Sequence, residues 1–421
     1  MKASDVRRSN YVAKALKGIY TEYHIALADG TSHLGCWGAD TAGAGVVDVC
    51  GGQGRGTGRG LMTARSAWSP RRKFREGDAM DHDDHVAMLA GHGTSDNPDK
   101  AGHDELTAAL LTAGLDVRPI PRMGIPTAEE LRLAVASGRG PLLFPSFANR
   151  WPARTAWTPS NLMKTHGQET VTALIDLPSS GTLFPKEQRC YERVLTLAEF
   201  IECMITASPA APCYLAYTRA EGLFPSSDYD FSPLTGDTSH GTDTRVWLGS
   251  AGTRSMLHSD LKDNLFCQIW GDKHVVLLPW EQSRAAYPFP NNLVNSQIDL
   301  AELDLQRFPR LRKAILYAGT VRAGDILFIP RGCWHDVRSR TPSVSLNHWF
   351  GPPLGLNDYV VLLLKSGPKF WAATVRDFLI HGLLGRREQI TFFFSPPSTG
   401  KRLYDLLRWR DFSRDNDPAA E

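Results

Sequence analysis

Between residues 212 and 350 the chain alternates short apolar runs with Gly, Pro and Asp. The runs are "PCYLAY" (212–217), "TRVWLGSAG" (244–252), "SMLHSD" (255–260), "NLFCQIWG" (264–271), "KHVVLLP" (273–279), "GDILFIP" (324–330) and "VSLNHWF" (344–350). They are rich in β-branched and aromatic residues and too short for helices, which predicts strands of an all-β barrel or sandwich. Helical spacing appears around them. "ELTAALLTAGL" (105–115) predicts a short helix ended by Gly114. "TAEELRLAVASG" (127–138) carries Thr127 followed three residues later by Glu130, a capping-box pattern. A helix start is expected at Thr158, and residues 193–207 read as helix. From residue 356, "LNDYVVLLLKSGPKFWAATVRDFLIHGLL" predicts two apolar helices broken at Gly367-Pro368. The chain is therefore expected to be mainly β with flanking helices and a helical C-terminal tail.

Residues 1–120 have little apolar patterning apart from that first helix and read as a poorly organised extension. Residues 121–352 form the expected central domain and 353–421 the helical tail. "VVDVCGGQGRGTG" (46–58) has the glycines of a phosphate loop but lacks both GxGxxG and GxxxxGK[ST]; it reads as a Gly/Arg linker. "DHDDH" (81–85) lies in a polar segment and reads as a solvated loop.

Composition narrows the function. The 421 residues carry 47 basic and 45 acidic side chains, a net charge of +2, so no global pull toward nucleic acid is expected. The basic runs "SPRRKFR", "RLRK" and "GRRE" read as solvated faces. The seven cysteines are scattered and form no CxxC pair, which argues against a disulfide framework or zinc knuckle. The N-terminus has no secretory core, and no apolar run approaches the ~18 residues that span a bilayer. A cytoplasmic protein with no membrane partner is expected.

Chemistry concentrates in "SMLHSDLKDNLFCQIWGDKHVVLLPW" (255–280). Residues i and i+2 of a strand share a face, so His258 and Asp260 project together. An imidazole and a carboxylate are two members of the 2-His-1-carboxylate triad that holds non-haem Fe(II). His335, in "GDILFIPRGCWHDV", is the candidate third, on a strand 77 residues away (335 − 258). Lys273, alone after a turn, is costly to bury unless an anion meets it. His274 and His348 adjoin Lys273 and Asn347 on strands, so they should face the opposite way.

These motifs, with "GPLLFPSFANRWPARTAWTPSNL" (140–162) and "VWLGSAG" (246–252), resemble the cupin-like branch of the JmjC hydroxylases. These are Fe(II)- and 2-oxoglutarate-dependent oxygenases, and within them the resemblance is to the asparaginyl hydroxylase acting on hypoxia-inducible factor. About half the chain is covered. The resemblance implies a double-stranded β-helix, the jelly-roll or cupin core. It implies that His258, Asp260 and His335 bind the metal and form the catalytic centre. Lys273 would pair with the distal carboxylate of 2-oxoglutarate, with Tyr214 bonding the same group. Ser255, Asn264 and Asn347 would support the co-substrate, and Gln268 shares Asn264's face. O2 is the second co-substrate, and the product is a hydroxylated protein, peptide or small molecule. Lysine or N-methyl demethylation, tRNA hydroxylation and a non-catalytic binding cupin are the alternatives. Trp270, Asp272 and Trp280 depart from the pattern close to the site. Substrate choice is expected from 218–245, read as a long polar loop, and from 284–320. The tail helices are expected to pair in a homodimer.

Overall fold

The computed structural model describes residues 104–137, 140–178, 190–236, 242–352, 356–386, 388 and 397–409. The Gly-rich stretch 51–60 and the 81–85 cluster lie outside them.

Among the described residues fifteen strands, numbered in chain order, form two sheets. The first runs β1 (Asp116–Pro119), β12 (Ile315–Val321), β9 (Lys273–Leu278), β14 (Trp334–Ser339), β7 (Arg254–Ser259), β11 (Asn292–Ser296), β10 (Pro288–Phe289). The second runs β2 (Leu142–Phe144), β13 (Ile326–Ile329), β8 (Asp263–Trp270), β15 (Ser343–Phe350), β6 (Asp243–Gly249), β5 (Tyr214–Arg219), β3 (Thr170–Leu174), β4 (Glu192–Thr196). Pairings between these strands are antiparallel apart from β1 with β12. The result is the expected jelly-roll core.

The period-two alternation divides each strand between two cores. On β9, Val275 and Leu277 point between the sheets and meet Phe266, Leu327 and Ile329. Val276 and Leu278 point outward, onto Leu106 and Leu110 of the helix Glu105–Thr112. On β8, Leu265, Cys267 and Ile269 face an outer core containing Trp157, Phe200 and Met204. Central strands covered on both faces therefore read as unbroken apolar runs.

Local signals set most element ends. Gly114 adopts φ +80°, just past the first helix. Thr127 and Glu130 form a reciprocal capping box on Ala128–Ala136. Thr158 caps Pro159–Thr165. Residues 193–196 differ from the expected helix: they belong to β4, paired over five residues with β3. The helix begins only at Leu197, where Thr196 and Glu199 form a second capping box. Pairing across the sheet outweighed local propensity there. The segment 218–245 is not one loop. It holds two 3-10 turns, the short helix Ser232–Thr235 and the start of β6.

Residues 104–119 belong to the barrel assembly, because their helix covers the first sheet and β1 extends it. The tail helices Leu356–Ser366 and Pro368–Asp377 separate at Gly367, φ +99°. Tyr359, Leu362 and Leu363 pack on Leu293 and Val294 of the barrel. A further helix, Thr399–Trp409, lies in the expected helical tail beyond the two helices singled out from the sequence. It crosses so close that a Cβ on Gly400 would collide with the Thr374 carbonyl oxygen.

Leu110 is 1% exposed. Leu110→Ala should cost about 2–5 kcal/mol in urea unfolding, because the cavity opens where the helix meets the sheet. A loss below about 1 kcal/mol would show that this helix adds nothing to the core.

Candidate metal centre

His258 on β7 and His335 on β14 are directly opposite in register. Their ring centroids are 4.1 Å apart. Asp260 follows just past the end of β7. One ligand atom from each of these three side chains lies within 4.8 Å of the others. The imidazoles are oriented by their own backbone. Nδ1 of His258 donates to the Met256 carbonyl at 2.6 Å, and Nδ1 of His335 to the Cys333 carbonyl at 3.0 Å. A carbonyl only accepts, so each Nδ1 carries a proton, and the neutral form of either ring has its lone pair on Nε2. Burial, reinforced by neighbouring His258, pushes His335 down to about 4. It is thus neutral at pH 7, the form that ligates metals.

Asp260 is held from the opposite sheet. Its Oδ2 accepts from Asn264 Nδ2 at 3.0 Å and from Trp349 Nε1 at 2.8 Å. The Asn264 carbonyl in turn accepts from Asn347 Nδ2 at 3.2 Å. Two imidazoles with free Nε2 atoms and one oriented carboxylate suit a divalent transition metal.

The remaining candidates cluster further along the same interior. Lys273 shares the inward face of Val275 and Leu277 and is only 2% exposed. Its Nζ donates to Ser345 Oγ at 2.8 Å and sits 5.6 Å from the Phe266 ring and 5.9 Å from the Tyr214 ring. Among the described residues no carboxylate pairs with it, and burial lowers its pKa to about 7. Tyr214 Oη lies 3.3 Å from Ser255 Oγ. Burial pushes this phenol up to about 12, so it stays protonated. Ser255 and His258 are an odd number apart, yet both face the interior. A register shift between His335 and Val337 explains it: Ser255 pairs with Val337 and His258 with His335, so β7 carries an extra residue. An aromatic run joins the two ends of the site. Tyr214, Trp247, Tyr217 and Trp349 follow one another at 5.7, 5.8 and 6.0 Å.

The other polar candidates make no bond to this cluster's side chains. Gln268 pairs in register with Ser345, but its Nε2 donates to the Trp270 carbonyl at 2.7 Å. His274 faces outward, 3.0 Å from Thr107 Oγ1 on the first helix. His348 also faces outward, bonded to Thr244 Oγ1 at 2.8 Å and stacked on Phe231. Trp270 and Asp272 flank Gly271, whose φ of +72° makes the turn into Lys273. Trp280 packs against Tyr359 and closes the tail onto the barrel. Ser345 and Trp349 were missed by sequence reasoning, although "SLNHWF" held the signal. Both lie two residues from Asn347, on its face of β15.

A family model described as "Cupin-like domain" matches residues 127–355, more than half the chain. The chain belongs to the cupin-like domain family. Several curated relatives are similar to this chain. Jumonji C domain-containing protein 5 of Drosophila melanogaster is 28% identical over 55% of this chain and 59% of its own length. Lysine-specific demethylase 8 of Xenopus tropicalis is 27% identical over 66% of this chain and 60% of its own. HSPB1-associated protein 1 of Rattus norvegicus is 29% identical over 53% and 51%. This cupin-like chain thus spans between half and three fifths of the length of these relatives.

In the cupin-like interior, Ser345→Ala removes the hydroxyl that meets the buried Lys273 ammonium. The expected cost is about 1–3 kcal/mol at pH 6, where the lysine is charged, and less at pH 9, where it is neutral. Urea unfolding at both pH values checks this. Parent stability should itself rise between pH 7 and the ordinary lysine pKa, since the unfolded chain there holds the extra proton.

Proposed function

We propose that this cupin-like protein is an Fe(II)- and 2-oxoglutarate-dependent oxygenase that hydroxylates a protein, peptide or small molecule. One observation carries the reading: a buried lysine without a carboxylate partner among the described residues shares an interior with a His/Asp/His cluster. A metal alone would not require that lysine, whereas a dicarboxylate bound beside the metal does.

His258, Asp260 and His335 would hold the metal. Fe(II) with 2-oxoglutarate would supply oxidation of a substrate C–H by O2, coupled to decarboxylation of the co-substrate to succinate. The protein's own part is binding, orientation and exclusion of water. Lys273 receives the distal carboxylate, and Tyr214 and Ser255 offer hydroxyls beside it. Asn347 and Asn264 connect the co-substrate region to Asp260. The apolar wall of Phe266, Val275 and Leu277 keeps that ion pair dry and therefore strong. Demethylation of an N-methyl group is the second reading, favoured by the names of the relatives from Xenopus tropicalis and from Arabidopsis thaliana, a lysine-specific demethylase 29% identical over 50% of this chain. Both readings start with the same C–H oxidation. Among the described residues no helix is long and apolar enough to cross a membrane. Leu379, Leu383, Leu384, Leu407 and Trp409 are exposed on the tail, and a homodimer would cover them.

Anaerobic titration with Fe(II) and 2-oxoglutarate tests the reading through the visible absorption of the complex and succinate formed on admitting air. The parent should give both, and His258→Ala neither. Lys273→Ala should need about 100-fold more 2-oxoglutarate, equivalent to about 2.7 kcal/mol. A folded, metal-loaded parent with neither signal would leave a cupin that binds without oxidising.

The lysine also gives a pH signature. Its pKa without ligand is lowered to about 7, and a bound carboxylate raises it. Binding above pH 7 must therefore take up a proton. Affinity should fall by up to about tenfold per pH unit above 7, until the raised pKa is passed. Calorimetry in buffers of different ionisation enthalpy should show the uptake at pH 8 and lose it in Lys273→Ala. Affinity independent of pH between 6 and 9 would exclude a titrating Lys273 from the co-substrate site.

A further inference from the structure

We infer that Trp349 is a positioning residue for the metal centre, whose indole N–H fixes the rotation of the Asp260 carboxylate. The inference rests on the proposed metal site and adds a residue to it.

Asp260 lies beyond the end of β7, so no sheet ladder defines its side-chain rotamer. Its backbone is pinned, because the carbonyl accepts from Gly332 N at 2.7 Å. Its carboxylate is gripped at one oxygen by two donors, Trp349 Nε1 at 2.8 Å and Asn264 Nδ2 at 3.0 Å. Those donors are not independent. Trp349 on β15 and Asn264 on β8 are directly paired in register, so one rung of the second sheet supplies both bonds. The grip has one polarity. Indole donates and never accepts, so Trp349 can bond only an oxygen offering a lone pair. Asn264 cannot turn its amide around either. Its carbonyl is taken by Asn347 Nδ2 at 3.2 Å, and a flip would set two donors together there and two oxygens together at Asp260.

Two fixed donors on one oxygen leave the carboxylate little rotation about its terminal bond. A metal then meets a ligand already oriented, and less ordering accompanies binding. The indole is itself seated against the Tyr217 ring, with centroids 6.0 Å apart. Trp349 therefore belongs to the rigid wall of the site.

Co(II) binding to the full chain tests this without turnover, read from visible absorption. Trp349→Phe keeps the ring and loses the N–H; Trp151→Phe is the control, a tryptophan of the outer core. Metal-free urea midpoints and near-ultraviolet circular dichroism establish folding. Trp349→Phe should bind Co(II) about tenfold more weakly or worse, with an altered spectrum, while Trp151→Phe matches the parent. Trp349→His, which returns a ring N–H, should recover part of the affinity; a packing role alone gives it no advantage over Phe. Unchanged affinity and spectrum in folded Trp349→Phe, a loss shared by Trp151→Phe, or no gain from His each overturns the inference. A parent that binds no Co(II) removes the metal site itself, an outcome distinct from a parent that binds with Trp349→Phe its equal.

Discussion

The site depends on one constraint: polar groups buried between two apolar sheets must be partnered or must serve a ligand. Asp260 meets it through donors from the opposite sheet. The two imidazoles meet it through backbone carbonyls two residues upstream. Lys273 meets it only in part, with one serine hydroxyl and two ring faces. The cost of that shortfall appears as a pKa lowered to about 7. Packing alone would favour an apolar residue at this position. The lysine makes physical sense as a receptor held ready for an anion.

The barrel supplies the geometry at little extra expense. Strand pairing sets His258 opposite His335, and alternation sends Lys273 inward with Val275 and Leu277 while His274 goes outward to the first helix. The register shift in β7 then brings Ser255 to the face that His258 already occupies. Bonds across the gap, from Tyr214 to Ser255, from Lys273 to Ser345 and from Trp349 to Asp260, tie the sheets together at the places where chemistry is proposed. Stability and preorganisation thus share the same contacts.

Much of this was legible in the sequence because it depends on short-range pattern. Thr127 with Glu130, Gly114 and Gly367-Pro368 mark helix ends through local chemistry, and they do so here. The strand runs were readable because a strand covered on both faces must be apolar throughout. Their closure into a cupin core was implied by motif resemblance, since periodicity alone does not distinguish a barrel from a sandwich. Three things were not legible. The strand at 192–196 forms only because β3 lies beside it. The β7 register shift depends on pairing with β14. The grip of Trp349 and Asn264 on Asp260 joins residues 89 and 4 positions away; alternation puts Trp349 on Asn347's face, but spacing does not say that its indole meets Asp260. The helix Thr399–Trp409 lies in the tail expected to be helical, but its close approach through Gly400 depends on a helix more than twenty residues earlier.

The most direct measurement is anomalous diffraction from crystals of the full chain grown with Mn(II) and 2-oxoglutarate under anaerobic conditions. The account expects one strong peak at coordination distance from His258 Nε2, His335 Nε2 and the Asp260 carboxylate, with the co-substrate's far carboxylate against Lys273 Nζ. Ordered crystals with no peak between those side chains, or with 2-oxoglutarate bound away from Lys273, would contradict it.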